Sequence, residues 1–340
     1  MKKGLLIGAG QVALEGHLPA YIQDSFLSRE VQIVAAVDHC EENLRACESM
    51  LPGIHVYREI SQAFINEDVD FVDICTPPHV RLSVIQEAAA RGWHILCEKP
   101  IATNLHSGLE IQRVLARRRI MFMPCHQYPF SPLWRTVLQQ VKDGLIGEVR
   151  LAAIEAYRER ADPGSRHWRK GWRQRRDIAG GGILLDIGTH YLHLVHLLFG
   201  LPISVTARLA SLSGQEHDVE DTAVVILDYP AGPVELHLSW AAVKRETRLR
   251  IDGTAGSILF DGTTLRVDCG VRQQHWTLSD AMSKSCYFTW YAQLFRRFFD
   301  AIGHRLSKQP LVDAITTLRY IEAAYASARQ NDTVTLSRRK

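Results

Sequence analysis

The sequence is short of the features that would take it outside ordinary globular chemistry. Its seven cysteines, at positions 40, 47, 75, 97, 125, 269 and 286, are odd in number and include no CxxC pair. That pattern argues against a disulfide framework and a thiolate metal site, and the thiols read as reduced core residues. No apolar run approaches the roughly 18 to 20 residues that a bilayer-spanning helix needs. The start MKKGLLIGAGQVALEGH carries a Lys pair, but Gly8, Gly10, Glu15 and His17 interrupt any signal-peptide core. A cytoplasmic protein without a membrane partner is the expectation. Charge of one sign is scarce too: 40 Lys plus Arg face 37 Asp plus Glu, a net charge of +3. Nothing in that balance calls for nucleic acid.

What is present is 340 residues, 46% of them hydrophobic, a length that suits two domains. From Lys3 to about Cys125, short apolar runs (GLLIG, VQIVAAVD, IHVY, FVDIC, HILC, IMFMPC) alternate with helical periodicity such as EENLRACESM and RLSVIQEAAARG. This is the mark of βαβ units, and it predicts a doubly wound parallel sheet over residues 1–125. After a helix over Pro132 to Asp143 the runs follow one another without intervening helices: EVRLAAIEAYRER, ISVTARLASL, DTAVVILDY, PVELHLSWA, TRLRIDG, SILFDG and TLRVDC. Residues 126–340 are therefore expected to form a second domain on an open, mostly antiparallel sheet flanked by helices. Those helices are expected at Thr189 to Phe199, Phe288 to Arg305 and Val312 to Arg329, the closing two packing back on the first domain.

Two sets of residues carry chemistry. Gly8-Ala9-Gly10-Gln11-Val12-Ala13 follows the first strand and opens a helix, so it is GxGxxA in the setting a dinucleotide turn requires. The first Gly makes the turn, the second lets backbone approach a pyrophosphate, and the small third residue lets the helix pack on the sheet. Asp38 ends the second strand, where a carboxylate accepts from ribose hydroxyls and repels a 2′-phosphate, so NAD is favoured over NADP. The interval from Gly10 to Asp38 is longer than the usual ~20 residues, and the excess falls around SFLSRE. Thr76-Pro77-Pro78-His79 ends the fourth strand in a rigid turn at the carboxyl edge, where ligands of such sheets bind. Glu98-Lys99-Pro100 follows HILC at the same edge. In GGGILLDIGTHYLH, three glycines permit close backbone approach to a ligand, and Asp186 and His190 are four apart and share a helix face. A carboxylate beside an imidazole orients the ring and favours its protonated form, which makes an acid/base pair.

In this order, Gly8 to Ala13, Thr76 to His79, Glu98-Lys99-Pro100 and Gly180 to His190 resemble the Gfo/Idh/MocA oxidoreductases, the group of glucose-fructose oxidoreductase and inositol dehydrogenase. The likeness extends through PFSPLW, DGLIGEV and AAYASARQNDTV. It implies a Rossmann domain, a substrate domain, and hydride transfer between nicotinamide and an alcohol or carbonyl carbon of a sugar or cyclitol. It places Lys99 and His190 in the positions of the catalytic pair, with Asp186 assisting. Cofactor contacts are expected at Gly8, Gly10, Gln11, Val12, Asp38, Thr76, Pro77, His79, Glu98 and Lys99. Substrate contacts are expected at His126, Arg158, Trp172, Arg173 and His193, and no metal is implied. Pro129 stands where the family often has Arg, and His193 where Asp is common, so the particular substrate is open. A homodimer or homotetramer formed through the open sheet is expected.

Six basic residues, Arg166, Arg169, Lys170, Arg173, Arg175 and Arg176, crowd the stretch just ahead of the glycine run. An Arg there suits a phosphate or carboxylate on the substrate, while a solvated loop or subunit contact suits it equally. Three rivals differ in what they would show. A nucleic-acid binder would show salt-dependent affinity for random DNA. A redox-neutral epimerase, dehydratase or glycosidase would convert substrate with retained NAD. A silent sensor would lack Lys99, Asp186 and His190, all of which are present.

Overall fold

In the computed structural model, residues 1–163, 171–214, 217–270, 272–278, 286–304 and 307–336 are described. The apolar runs of the first third form strands β1 (Lys2–Ile7), β2 (Val31–Val37), β3 (His55–Tyr57), β4 (Phe71–Ile74), β5 (His94–Cys97) and β6 (Phe122–Pro124). They pair in the order β3-β2-β1-β4-β5-β6, with every pairing parallel. The order reverses between β1 and β4, and the crevice at that switch point is where a doubly wound sheet receives its ligand. All four residues of β4 are buried, as parallel strands covered on both faces must be.

The helices are α1 (Leu18–Gln23), α2 (Leu27–Glu30), α3 (Glu41–Met50), α4 (Ile60–Asn66), α5 (Arg81–Arg91), α6 (Leu105–Ala116), α7 (Pro132–Lys142), α8 (Arg176–Ala179), α9 (Ile183–Asp186), α10 (Gly188–Phe199), α11 (Tyr287–Gly303) and α12 (Gln309–Gln330). Their ends have local causes. Gly92 stops α5 in the left-handed conformation at φ 78°. The side chain of Asn104 caps α6 by accepting from the Ser107 amide, and Ser131 caps α7 in the same way through Trp134, ahead of a proline at the first position. The extra residues between Gly10 and Asp38 are accounted for by α2.

The second sheet has nine strands: β7 (Val149–Tyr157), β8 (Ser204–Ala210), β9 (Thr222–Tyr229), β10 (Gly232–Ser239), β11 (Glu246–Gly253), β12 (Ser257–Phe260), β13 (Thr264–Cys269), β14 (Arg272–Thr277) and β15 (Val334–Thr335). Their order is β14-β13-β12-β11-β7-β10-β9-β8-β15. Among the described residues only β7 and β10 run parallel in this sheet; the other pairings are antiparallel. Along β7, β9 and β10 buried residues alternate with half-buried ones, so one face packs on α10 and α12 and the other is open. β14 (RQQHWT) has no apolar alternation and was not foreseen; edge pairing to β13 holds it.

The closing helices pack back on the layer of the parallel sheet. Tyr291, Leu294, Phe295, Phe298 and Phe299 of α11 share a core with Leu6, Tyr21, Phe71 and Leu96, and Phe295 stacks on Tyr21 with centroids 4.8 Å apart. Among the described residues no single helix is long and apolar enough to cross a membrane. The described cysteines are all free, five of them buried.

Candidate active site

Two adjoining cavities open at the carboxyl edge of the parallel sheet. The smaller, about 260 Å³, is lined by Gly8, Gly10, Gln11, Val12, Asp38, Thr76, Pro77 and His79. Gly8 has φ 93°, and a Cβ there would lie 2.8 Å from the Thr76 amide nitrogen, so only glycine fits the turn. At Gly10, by contrast, a Cβ would meet nothing within 4 Å, which leaves the backbone open to a ligand. Asp38 does not cap α3. One carboxylate oxygen accepts from the Ala9 amide at 2.7 Å and the other from the Cys40 amide at 2.8 Å, so it ties the glycine turn to the end of β2. Thr76 Oγ1 is buried without a partner among the described residues. An open cradle of backbone, a carboxylate beside it and an orphaned hydroxyl fit a dinucleotide's phosphates and ribose.

The larger cavity, about 450 Å³, contains Glu98, Lys99, Asp186 and His190, together with Tyr128, Arg158, Trp240 and Tyr287. Lys99 follows β5 and precedes a cis peptide to Pro100. Its Nζ donates to Asp186 Oδ1 at 2.9 Å and to the Asp186 carbonyl at 3.1 Å. Burial pushes the Asp186 carboxyl up, but the cations of Lys99 and Arg173 outweigh it and hold the group below the ordinary carboxylate range.

The pairing of Asp186 with His190 expected from their spacing is not formed. The chain bends by 45° between the helix ending at Asp186 and α10, so the carboxylate turns to Lys99 and Arg173 while His190 turns to Tyr128. The imidazole stacks on the phenol with centroids 3.9 Å apart and planes within 4°. Nor is the ring held protonated: burial, then the charge of Lys99, pushes its pKa well below the usual imidazole value. His190 is a neutral ring whose Nδ1 is buried without a partner among the described residues. The glycine run also differs from expectation. At Gly182 a Cβ would sit 1.8 Å from the Glu220 carbonyl oxygen, so what approaches there is the protein's own backbone.

The residues expected to touch substrate are dispersed. His126 and His193 stack on each other, centroids 4.0 Å apart, and neither lines the larger cavity. α10 carries His193 a turn past His190 into the interior, where burial pushes its pKa down to about 4. Arg158 borders the cavity, but its guanidinium donates to the carbonyls of Tyr157 at 2.7 Å and Glu246 at 2.9 Å. Trp172 and Arg173 line both cavities, stacked cation over ring at 4.4 Å. In the basic segment, Arg173 lies 3.7 Å from Asp186 and 3.9 Å from Asp162. Arg175 pairs with Asp177, and Arg176 donates to the Asp218 carbonyl. Arg166, Arg169 and Lys170 lie outside the described residues. Tyr128, Trp240, Arg245 and Tyr287 also line the cavity and were not singled out. Of these, Tyr128 adjoins Pro129, where the family often has Arg, and Trp240 lies in the strand run PVELHLSWA.

Residues 2–126 match the family model of an oxidoreductase family with an NAD-binding Rossmann fold, and residues 134–259 match the GFO/IDH/MocA C-terminal domain. D-apiose dehydrogenase of Paraburkholderia graminis is 26% identical, the match covering 98% of this chain and 89% of that protein. An uncharacterized oxidoreductase of Synechocystis sp. is 26% identical over 62% of this chain, which spans 59% of that relative's length. A solved levoglucosan dehydrogenase, in complex with NADH and levoglucosan, superposes with a TM-score of 0.84 at 22% identity, covering 99% of this chain and 100% of that one. At that identity the likeness is one of fold.

Proposed function

The chain belongs to the Gfo/Idh/MocA family of NAD-binding oxidoreductases, and from that premise we propose that it transfers a hydride between nicotinamide and a secondary alcohol or ketone carbon of an uncharged sugar, sugar derivative or cyclitol. The observation that carries the reading is the Lys99 ammonium, fixed at 2.9 Å by Asp186 in a cavity that also holds His190 and adjoins the dinucleotide cradle. NAD, when bound, supplies the hydride acceptor or donor.

Loss of hydride from a carbinol carbon requires removal of its hydroxyl proton. His190 is neutral and so free to take that proton, and with Nδ1 buried we assign the transfer to Nε2. The Lys99 ammonium stabilises the alkoxide as it develops, and the Asp186 carboxylate holds that ammonium in place. In the reducing direction His190 returns the proton. Gly8, Gly10 and Asp38 hold the nucleotide, and Trp172 and Arg173, which border both cavities, are assigned to the junction between cofactor and substrate.

The preference for an uncharged substrate rests on what Arg158, Arg173, Arg175 and Arg176 already bind, although Arg160 and Arg245 also line the cavity. Arg158 is spent on main-chain carbonyls, and Arg173, Arg175 and Arg176 on the protein's own acids and carbonyls. A bidentate anion clamp built from these four would need one of them released from its present partners. We further assign the open face of the nine-stranded sheet, with Leu151, Ala153, Val224 and Ile226 half-buried on it, to contact between copies of the chain in the cytoplasm. Sedimentation as a monomer would refute that contact.

The test is a panel of levoglucosan, D-apiose, myo-inositol and glucose against glucose 6-phosphate and glucuronate, with NAD, followed by absorbance of the reduced nicotinamide. Turnover of the uncharged set is expected, and preference for the charged pair would refute the charge assignment. Sugar conversion without net NADH would place the chain among redox-neutral enzymes instead. Lys99→Met and His190→Ala should each cut turnover by about 100-fold or more with NAD binding nearly intact. Near-normal rates in both would sink the assignment.

A further inference from the structure

Behind the reaction cavity lies a second polar cluster that hydride transfer does not call on. His17 ends the π-helical turn Ala13–His17 that follows the phosphate-binding loop, Asp73 is set inside β4, and Glu98 follows β5. None is more than 3% exposed. His17 Nδ1 lies 2.8 Å from Asp73 Oδ2 and Nε2 lies 3.1 Å from Glu98 Oε1, so one ring spans two carboxylates. The Tyr21 hydroxyl of α1 donates to Asp73 at 2.9 Å, and the Tyr291 hydroxyl of α11 donates to Glu98 Oε1 at 2.6 Å. The second Glu98 oxygen accepts the amide N–H of Lys99 at 3.0 Å. The thiols of Cys75 and Cys125 complete the titratable surroundings, and the edge of Phe295 closes them.

A buried parallel strand is ordinarily apolar throughout, and replacing a buried ion cluster by well-packed apolar groups often costs nothing in stability. Stability alone therefore gives no reason to place Asp73 and Glu98 here. What the cluster does achieve is a rigid link from the cofactor helix, through His17 and Glu98, to the peptide bearing Lys99. π-Turns of this kind occur frequently at functional sites. We propose that His17 is a positioning residue: clamped between Asp73 and Glu98, it fixes the carboxylate that holds the Lys99 amide, and so sets where the Lys99 ammonium stands in the cavity. The proposal rests on the assignment of Lys99 to the reaction.

Burial opposes charge on the ring, but Asp73 and then the Cys75 thiol outweigh it and raise the His17 pKa well above its ordinary value. The ring thus stays cationic through neutral pH. Cys125 Sγ also lies within 4.8 Å of the His17 and Asp73 donor atoms, yet a proton on each ring nitrogen already satisfies both carboxylates.

The test compares the full-length wild type with His17→Gln and Tyr291→Phe. His17→Gln removes the bridging charge. Tyr291→Phe deletes one donor to Glu98 at constant shape and keeps the question open to experiment should His17→Gln fail to fold. With the panel alcohol of highest turnover, kcat should fall about 10- to 100-fold in His17→Gln, the cost of misplacing a catalytic group by an ångström or less. In Tyr291→Phe it should fall by a few-fold. In both, KM and NAD affinity should stay within about threefold, because the defect is placement and not binding. An arm without substrate reads Lys99 directly: after reductive ¹³C-methylation, its resonance, assigned by its loss in Lys99→Arg, should move in both variants with NAD present. A folded His17→Gln with wild-type kcat and an unmoved Lys99 resonance would overturn the proposal. So would loss of kcat and NAD affinity together, which would mark His17 as a packing residue. If no panel alcohol reduces NAD, the proposed function fails and the Lys99 resonance alone decides the role of His17.

Discussion

Asp186→Asn isolates the charge of the Lys99 partner while keeping its shape and one acceptor oxygen. The two side chains are 18% and 13% exposed, shielded enough that the pair is more than a surface contact. A hydrogen bond between charged groups contributes about 1.5–3 kcal/mol. Lys99 keeps the Asp186 carbonyl as a second acceptor at 3.1 Å, so the lower part of that range, about 1.5–2 kcal/mol, is the expected loss at pH 7. It corresponds to roughly a 10- to 30-fold smaller folding constant at 1.36 kcal/mol per decade. The pH dependence has a definite sign. The Asp186 carboxyl is held below its ordinary value in the folded protein, so its contribution is complete above the unfolded carboxylate pKa of about 3.9 and is lost as pH falls through the folded value. Urea unfolding followed by tryptophan fluorescence should therefore show the same gap between wild type and variant at neutral and mildly acidic pH. The gap should narrow once pH falls below about 4. A gap that persists undiminished into that acid range, or no gap at neutral pH, would refute the ion-pair reading.

Two other expectations follow from the same geometry. Asp38→Ala removes the acceptor of the Ala9 and Cys40 amides along with the charge that repels a 2′-phosphate. The ratio of NAD to NADP affinity, measured by calorimetry, should drop by about tenfold or more, a shift of ~1.4 kcal/mol, and an unchanged ratio would count against the ribose role. For His190, whose pKa is pushed well below 6.5, the neutral ring is the active form in alcohol oxidation. The rate should hold level as pH falls past 6.5 and decline only at more acid values, and an acid limb centred on the ordinary imidazole value would contradict the buried, neutral ring.

The parts of the fold that could be read from residues alone are those with local causes. EENLRACESM, from Glu41 to Met50, forms α3 with those same bounds, because its apolar positions recur at helical spacing. Gly92 ends α5, and the glycine turn sits between β1 and its helix as its steric requirements demand. β14 escaped because its residues are polar and exposed, and only pairing to β13 makes them a strand. In the site, Gly8, Gly10, Asp38, Thr76, Lys99, Asp186 and His190 were all legible as residue types, but their partnerships were not. Asp186 meets Lys99 across 87 positions of sequence, and helical spacing pointed to His190 because nothing local announces the bend at Ile187. His17 had a faint mark: a carboxylate in the middle of the apolar run FVDIC needs a buried partner. Only the three-dimensional structure names it.

The aromatic face of α11 sets a schedule for synthesis. The hydrophobic layer beneath β1 and β4 is finished by Tyr291, Phe295, Phe298 and Phe299, which leave the ribosome long after the last strand of that sheet at Phe122–Pro124. At roughly 5–20 residues per second, the ~170 intervening residues take about 9 to 35 s. Throughout that interval Leu6, Tyr21 and Phe71 lack the aromatic cover that α11 provides. The nucleotide-binding half is thus born first and completed last, and a nascent chain halted in between presents an unsealed apolar surface for a chaperone to shield.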